Sequence, residues 1–122
     1  MKKIMPQEIE LWYLIPALRR ELAKILVNKK KLNQKRISEL LGVTGAAISQ
    51  YLNLKRASEI TFTKAQLKRI EKAADNLVKN ENCIKELHFL CSYFKKDKIV
   101  CKIHKQKDTS VKKNCKICFE FD

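Results

Sequence analysis

The chain has 122 residues, with 27 lysines and arginines against 13 acidic residues, so its formal net charge is +14. This length holds one domain of ordinary size, or a small domain with an appendage, and argues against a large cofactor-binding enzyme core. Two glycines and two prolines are too few for the turns of an all-β sandwich, which recur about every 8–12 positions. We therefore expect a mainly α protein, and no catalytic set or glycine-rich phosphate loop is evident.

The charge points to an anionic partner, either nucleic acid or an anionic membrane. A generically lysine-rich surface is the alternative, and charge alone does not decide between them. No stretch reaches the roughly 18 apolar residues of a membrane-spanning helix, and the N-terminus lacks the features of a signal peptide. We expect a cytoplasmic protein without a membrane partner, in which disulfides are rare.

The first predicted element is a helix over residues 7–28. Its apolar residues recur at steps of three and four, and they are Leu11, Leu14, Ile15, Leu18, Leu22, Ile25 and Leu26. Pro16 lies inside this pattern and lacks a backbone donor, which predicts a kink or a late helix start there. Trp12 and Tyr13 lie beside the stripe and are expected to pack in the core.

Two short helices are predicted next, with a tight turn between them. Asn33 is a candidate N-cap for residues 34–41, Gly42 suits the positive φ of a helix C-terminus, and Thr44 can cap residues 45–52. The expected buried positions have the spacing of a helix-turn-helix, with Ser38 as the small residue between the helices; they are Ile37, Leu41, Val43, Ile48 and Tyr51. A helix pair within a bundle is the alternative, and the charge favours a helix-turn-helix that binds duplex DNA.

The second helix of this unit would lie in the major groove, with its N-terminal residues nearest the bases. The residues expected to face DNA are Thr44, Gly45, Ala46, Ser49, Gln50 and Asn53. Gln50 and Asn53 can each pair with adenine, and the Ala46 methyl can touch a thymine methyl. Phosphate contacts are expected from Lys35, Arg36, Lys55 and Arg56, which would position the protein without reading sequence. A homodimer is expected, because such proteins commonly read two half-sites.

Two further helices are predicted, one from Lys64 to about Lys79 after a Thr61 or Thr63 cap, and one over residues 82–96. The second carries Ile84, Leu87, Leu90 and Phe94 at helical spacing. The expected division is a helix-turn-helix domain over 1–60, a connecting or dimerisation helix over 61–82, and a cysteine-rich metal-binding region over 83–122.

All five cysteines and both histidines lie in residues 83–122. Three pairs share one spacing, namely His88-x2-Cys91, Cys101-x2-His104 and Cys115-x2-Cys118, which lets both side chains of a pair reach one metal. Four thiolates are the common [4Fe–4S] ligand set, and the candidate ligands are Cys91, Cys101, Cys115 and Cys118. Cys83 falls on the apolar helix face and is expected to be a buried thiol. Structural zinc accepts the same ligands, and the spacing does not separate the two metals.

Residues 6–56 resemble predicted archaeal transcriptional regulators of the xenobiotic-response-element type. The resemblance rests on Leu-Arg-Arg-Glu-Leu-Ala and on the run from Leu-Asn-Gln-Lys-Arg through Leu-Leu-Gly-Val-Thr to Ala-Ala-Ile-Ser-Gln-Tyr-Leu. A similar segment heads archaeal regulators fused to a thiamine-phosphate-synthase-like domain, for which this chain is too short. Short members of the group carry a cysteine-rich tail proposed to hold an iron–sulfur cluster. Where this chain has His88-x2-Cys91 the resemblance implies Cys-x2-Cys, so Cys83 is an alternative ligand to this first pair, and His88 and His104 are further alternatives.

The resemblance implies a sequence-specific transcriptional regulator whose [4Fe–4S] cluster senses redox state, oxygen or iron. A nucleic-acid-binding module with a structural zinc site and no sensing role is the alternative.

Overall fold

The computed structural model describes residues 4–53 and 60–107. Within these ranges the chain is mainly helical. The elements are α1 (Pro6–Ile9), a π-helical turn (Glu10–Leu14), α2 (Ile15–Asn28), α3 (Gln34–Leu41), α4 (Gly45–Leu52), α5 (Lys64–Asn80), α6 (Cys83–Lys96) and α7 (Ile99–Lys107). No helix in this part of the chain is long and apolar enough to cross a membrane.

The predicted first helix is present, and its irregularity lies just before Pro16. A proline nitrogen cannot donate to the preceding turn and its ring crowds that turn's carbonyl, and here the π-helical turn ends immediately before α2 begins. One consequence is a shift of the helix face. Leu11 is 60% exposed and Trp12 43% exposed, so the prediction that both pack inward is wrong, whereas Leu14 and Leu18 are fully buried.

The predicted caps are confirmed. The side-chain oxygen of Asn33 accepts a hydrogen bond from the Arg36 amide at 2.8 Å, and that of Thr44 accepts from the Ala47 amide at 3.1 Å. Thr63 starts α5 and exchanges hydrogen bonds with Gln66 in a capping box. Each cap satisfies an amide that the first helical turn leaves without a partner.

Helix α2 is the centre of the packing, since it contacts α3, α4, α5 and α6. One hydrophobic cluster extends from Ile9 on α1 to Ile103 on α7. Its largest fully buried side chains are Phe94, Ile9, Leu14, Leu18, Leu22, Leu26, Ile37, Leu41, Ile48, Ile70, Leu77 and Leu90. The described part of the cysteine-bearing region therefore shares its core with α3 and α4.

The chain enters this core again between α4 and α5. Ile60 and Phe62 are buried, and the Phe62 ring lies 5.1 Å from that of Phe94 on α6. The guanidinium of buried Arg20 donates a 2.7 Å hydrogen bond to the Ile60 carbonyl. The segment that leads into α5 is thus joined to α6 by an apolar contact and to α2 by a hydrogen bond.

The two C-terminal helices differ from the sequence prediction at two points. Helix α6 begins and ends close to the predicted limits, but Ile84 is 84% exposed because the buried face follows Glu86, Leu90 and Phe94. Helix α7 was not predicted. It packs on α1 and α6 through Val100 and Ile103, which are buried.

Candidate nucleic-acid interface

Helices α3 and α4 are joined by a turn whose geometry follows from its residues. Gly42 ends α3 with φ 66°, a left-handed conformation that glycine adopts without a Cβ clash. The Val43 amide then donates to the Ser38 carbonyl at 3.2 Å, and Thr44 caps α4. These contacts fix where α4 starts relative to α3.

The inner face of the pair is apolar. Ile37, Leu41, Ile48 and Tyr51 are buried as predicted, and Val43 is half-buried. Ala47 is buried as well, and its small side chain suits a position where α4 meets its neighbours. Packing of this face against α2 leaves the opposite face of α4 outward.

The outward face begins at the N-terminus of α4. Thr44, Gly45 and Ala46 are exposed, as is Asn53 at the other end, while Ser49 is half-buried. Small side chains at the first turn allow close approach to another surface, and the helix N-terminus itself favours anionic groups. Four of the six predicted base-contacting residues are therefore exposed on one face, and Ser49 and Gln50 are half-buried.

Gln50 is half-buried and is the more constrained of these two side chains. Its carboxamide oxygen is enclosed and has no hydrogen-bond partner among the described residues. An amide that pairs with adenine must present both its oxygen and its nitrogen. Gln50 would have to rotate outward to make that contact.

The basic residues around the pair differ in availability. Lys35 is exposed, whereas Arg36 is held by two carboxylates. Its Nη2 lies 2.7 Å from Oε1 of Glu81, at the junction of α5 and α6, and its Nη1 lies 3.4 Å from Oε2 of Glu39. Hydrogen bonding to Glu81 and the negative charge of that residue raise the pKa of Arg36. The predicted contacts Lys55 and Arg56 lie outside the described residues.

The described cysteines lie on α6 and α7. Cys83 and Cys91 are half-buried on α6, and the thiol of Cys83 donates to the Leu41 carbonyl at 3.6 Å. Cys101 is half-buried on α7, which packs against α6. The other two predicted ligands, Cys115 and Cys118, lie outside the described residues.

Burial dominates the chemistry of the two α6 thiols. It raises the pKa of Cys83, with Arg19 opposing the shift. Burial and then Glu10 raise the pKa of Cys91 to about 11, again opposed by Arg19. Both thiols are therefore protonated at neutral pH, and a metal must displace a proton to bind Cys91.

The histidines give little support to ligand roles. His88 is exposed, and Nε2 of the buried His104 hydrogen bonds to the Ile4 carbonyl. Residues 4–53 and 60–107 contain no group of three or more histidine, cysteine or carboxylate side chains that could hold a metal. A four-thiolate centre would need at least one of Cys115 and Cys118 in addition to the described cysteines, and the predicted set needs both.

Sequence reasoning missed Glu81 as a partner of Arg36, and Glu10 and Arg19 as neighbours of Cys91. No local signal reveals them, because these contacts join residues on different helices. Comparison with protein-family models, with curated proteins and with solved structures finds no match for this chain.

Proposed function

We propose that the chain is a sequence-specific DNA-binding transcriptional regulator, in which α3 and α4 form the helix-turn-helix. The main support is the exposed first turn of α4, formed by Thr44, Gly45 and Ala46 on a helix whose opposite face is buried against α2. The net charge of +14 supplies the attraction that a phosphate backbone requires.

In this proposal α4 enters the major groove by its N-terminus. Gly45 and Ala46 bring the helix backbone close to the base edges, and Ser49 and Asn53 contact bases further along the groove. Lys35 contacts phosphate at the start of α3. Because the first turn of α4 carries few hydrogen-bonding groups, part of the specificity comes from DNA shape.

The proposal is tested with Ala46→Glu and a charge-matched control, Ile84→Glu. Both positions are exposed and both changes add one negative charge, but only residue 46 lies on the proposed interface. A glutamate in the first turn also suits the helix dipole, so the fold is retained. Binding to a short random-sequence duplex is measured by fluorescence anisotropy across a salt series, and preferred sites are selected from a randomised library.

Wild-type affinity should fall steeply with salt, as expected when phosphate contacts release counterions. Ala46→Glu should abolish selection of a preferred site, whereas Ile84→Glu should retain it. Absence of wild-type binding at low salt, or equal losses in the two variants, would refute the proposed role of α4.

A metal centre in the cysteine-rich region is the second part of the proposal. Two of the four candidate ligands, Cys91 and Cys101, lie on helices that pack together, and both are half-buried. A [4Fe–4S] cluster bound by these and by Cys115 and Cys118 would supply a redox-sensitive centre, whereas zinc would only brace the fold.

Anaerobic purification with iron, sulfide and zinc analysis separates these cases. Cys91→Ser and Cys118→Ser should lower the metal content, and Cys83→Ser serves as the matched control that leaves it unchanged. DNA affinity that differs between the metal-loaded and metal-free proteins supports sensing, while equal affinities leave a structural zinc site. Protein that contains no iron, sulfide or zinc after anaerobic purification contradicts both versions.

A further inference from the structure

The junction between α5 and α6 contacts both ends of α3. At the start of α3, Glu81 binds Arg36 with 2.7 Å between Oε1 and Nη2. At its end, the Cys83 thiol lies 3.6 Å from the Leu41 carbonyl oxygen. A single residue, Asn82, separates Glu81 from Cys83 in the chain, so the junction spans the helix that precedes the proposed DNA-reading helix.

Hydrogen bonds hold the junction in place. The Asn82 side chain caps α6 by accepting from the Lys85 amide at 3.2 Å, and Asn80 Oδ1 accepts from the Asn82 amide at 2.8 Å. The carboxylate of buried Glu86 accepts from the side-chain amides of Asn76 and Asn80 at 3.2 and 3.1 Å. These bonds fix the backbone that presents Glu81 to α3.

We propose that the Glu81 carboxylate occupies the place of a DNA phosphate on Arg36 and thereby restrains DNA binding by the free protein. This inference rests on the proposed function. A guanidinium presents the same fork of donors to a carboxylate and to a phosphate. Arg36 was predicted as a phosphate contact, and its Nη2 is engaged by an acidic side chain from another helix.

The pair is suited to exchange rather than to permanent bonding. The side chains of Arg36 and Glu81 are 41% and 58% exposed, and ion pairs this open to solvent contribute little to the stability of the fold. A phosphate brought close by α4 can therefore displace Glu81. Glu39 holds the other terminal nitrogen of Arg36 at 3.4 Å from within α3, so it remains beside Arg36 in either state.

The test is a double-mutant cycle of Glu81→Gln, Arg36→Gln and the double variant, with wild type as the fourth corner. Glu81→Gln should raise affinity for a random-sequence duplex about two- to fivefold, the range that an exposed ion pair supports. It should also steepen the dependence of log affinity on log salt by up to about 0.9, the value for one phosphate contact. Both gains should disappear in the Arg36→Gln background.

Glu71→Gln is the matched control. Glu71 forms a comparable pair with Lys29, with 2.6 Å between Oε2 and Nζ, so its replacement makes the same change in net charge without removing a partner of Arg36. Circular dichroism at equal concentration establishes that the variants are folded.

The outcomes distinguish failure of the inference about Glu81 from failure of the proposed DNA-binding function. If wild type binds DNA but Glu81→Gln matches it in affinity and salt dependence, Glu81 is no competitor. An equal gain in Glu71→Gln, or a gain that persists in the double variant, shows a general charge effect and also overturns the inference. Failure of wild type and of every variant to bind duplex DNA refutes the proposed function itself.

Discussion

The two glycines of the chain form a natural pair for testing the turn between α3 and α4. A Cβ added at Gly42 or at Gly45 meets no other atom within 4 Å, so neither substitution by alanine creates a clash. The two positions differ in backbone conformation. Gly42 has φ 66°, whereas Gly45 is the first residue of α4 and has no positive φ.

The expected effects on stability have opposite signs. A left-handed conformation costs an L-residue about 1–2 kcal/mol, and the restricted unfolded chain of the alanine variant offsets about 0.4–1 kcal/mol of this. Gly42→Ala should therefore lower the free energy of unfolding by about 0.8 kcal/mol, the difference between the middles of these two ranges. Gly45→Ala also restricts the unfolded chain, but it forces no residue into a left-handed conformation. It should therefore raise the free energy of unfolding by about 0.4–1 kcal/mol.

Urea unfolding followed by circular dichroism measures both changes, with the slope of the transition held to the wild-type value. A Gly42→Ala variant as stable as wild type, or a pair that shifts in the same direction, would refute the reasoning from φ. DNA binding adds a second contrast: the more stable Gly45→Ala variant should bind less tightly if its methyl group lies against the base edges.

Three further perturbations test other parts of the structure. Asn33→Ala and Thr44→Ala should each lower the free energy of unfolding by about 1 kcal/mol, since each removes an N-cap; an unchanged urea midpoint would contradict the capping role. Arg20→Met should cost about 1–3 kcal/mol in the same assay, because the Ile60 carbonyl loses its charged donor, and a neutral result would count against this tether. Burial raises the pKa of Cys83 in the folded protein above its ordinary value of 9.0. The contribution of this thiol to the free energy of unfolding is therefore complete below about pH 9 and declines as the pH rises above it. Cys83→Ala should remove this component of the pH dependence, and alkylation of folded wild type should be slower than alkylation of Cys83 in urea at the same pH.

Local chemistry explains which features could be predicted from the sequence. Asn33, Gly42 and Thr44 act on amides or dihedral angles within three residues of themselves, so their roles follow from neighbouring residue types. The inward positions of α3 and α4 follow in the same way from helical spacing. Each of these predictions needed no knowledge of what the helices pack against.

Features that depend on packing between distant elements could not be predicted in this way. The π-helical turn shifts the exposed face so that Leu11 and Trp12 point outward. The sequence prediction assumed regular α-helical spacing, which places both residues on or beside the buried face. Arg36 and Glu81 are 45 residues apart in the chain, and their pairing depends on how the α5–α6 junction is placed. Helix α7 was missed because its few apolar residues, such as Val100 and Ile103, are buried only against α1 and α6.

The position of α6 connects the cysteines to the proposed DNA-binding helices. Cys83 contacts the end of α3, Cys91 lies near Glu10 of the π-helical turn, and Arg19 of α2 interacts with both thiols. A thiolate ligand at Cys91 would place a negative charge beside Glu10, which opposes it, and Arg19, which favours it. Because α2 is packed against α3 and α4 as well as α6, a change in how α6 lies on α2 would alter the support of the proposed DNA-binding helices. Metal loss would then affect DNA binding through shared packing, whereas a separately folded tail would need its own contact with DNA.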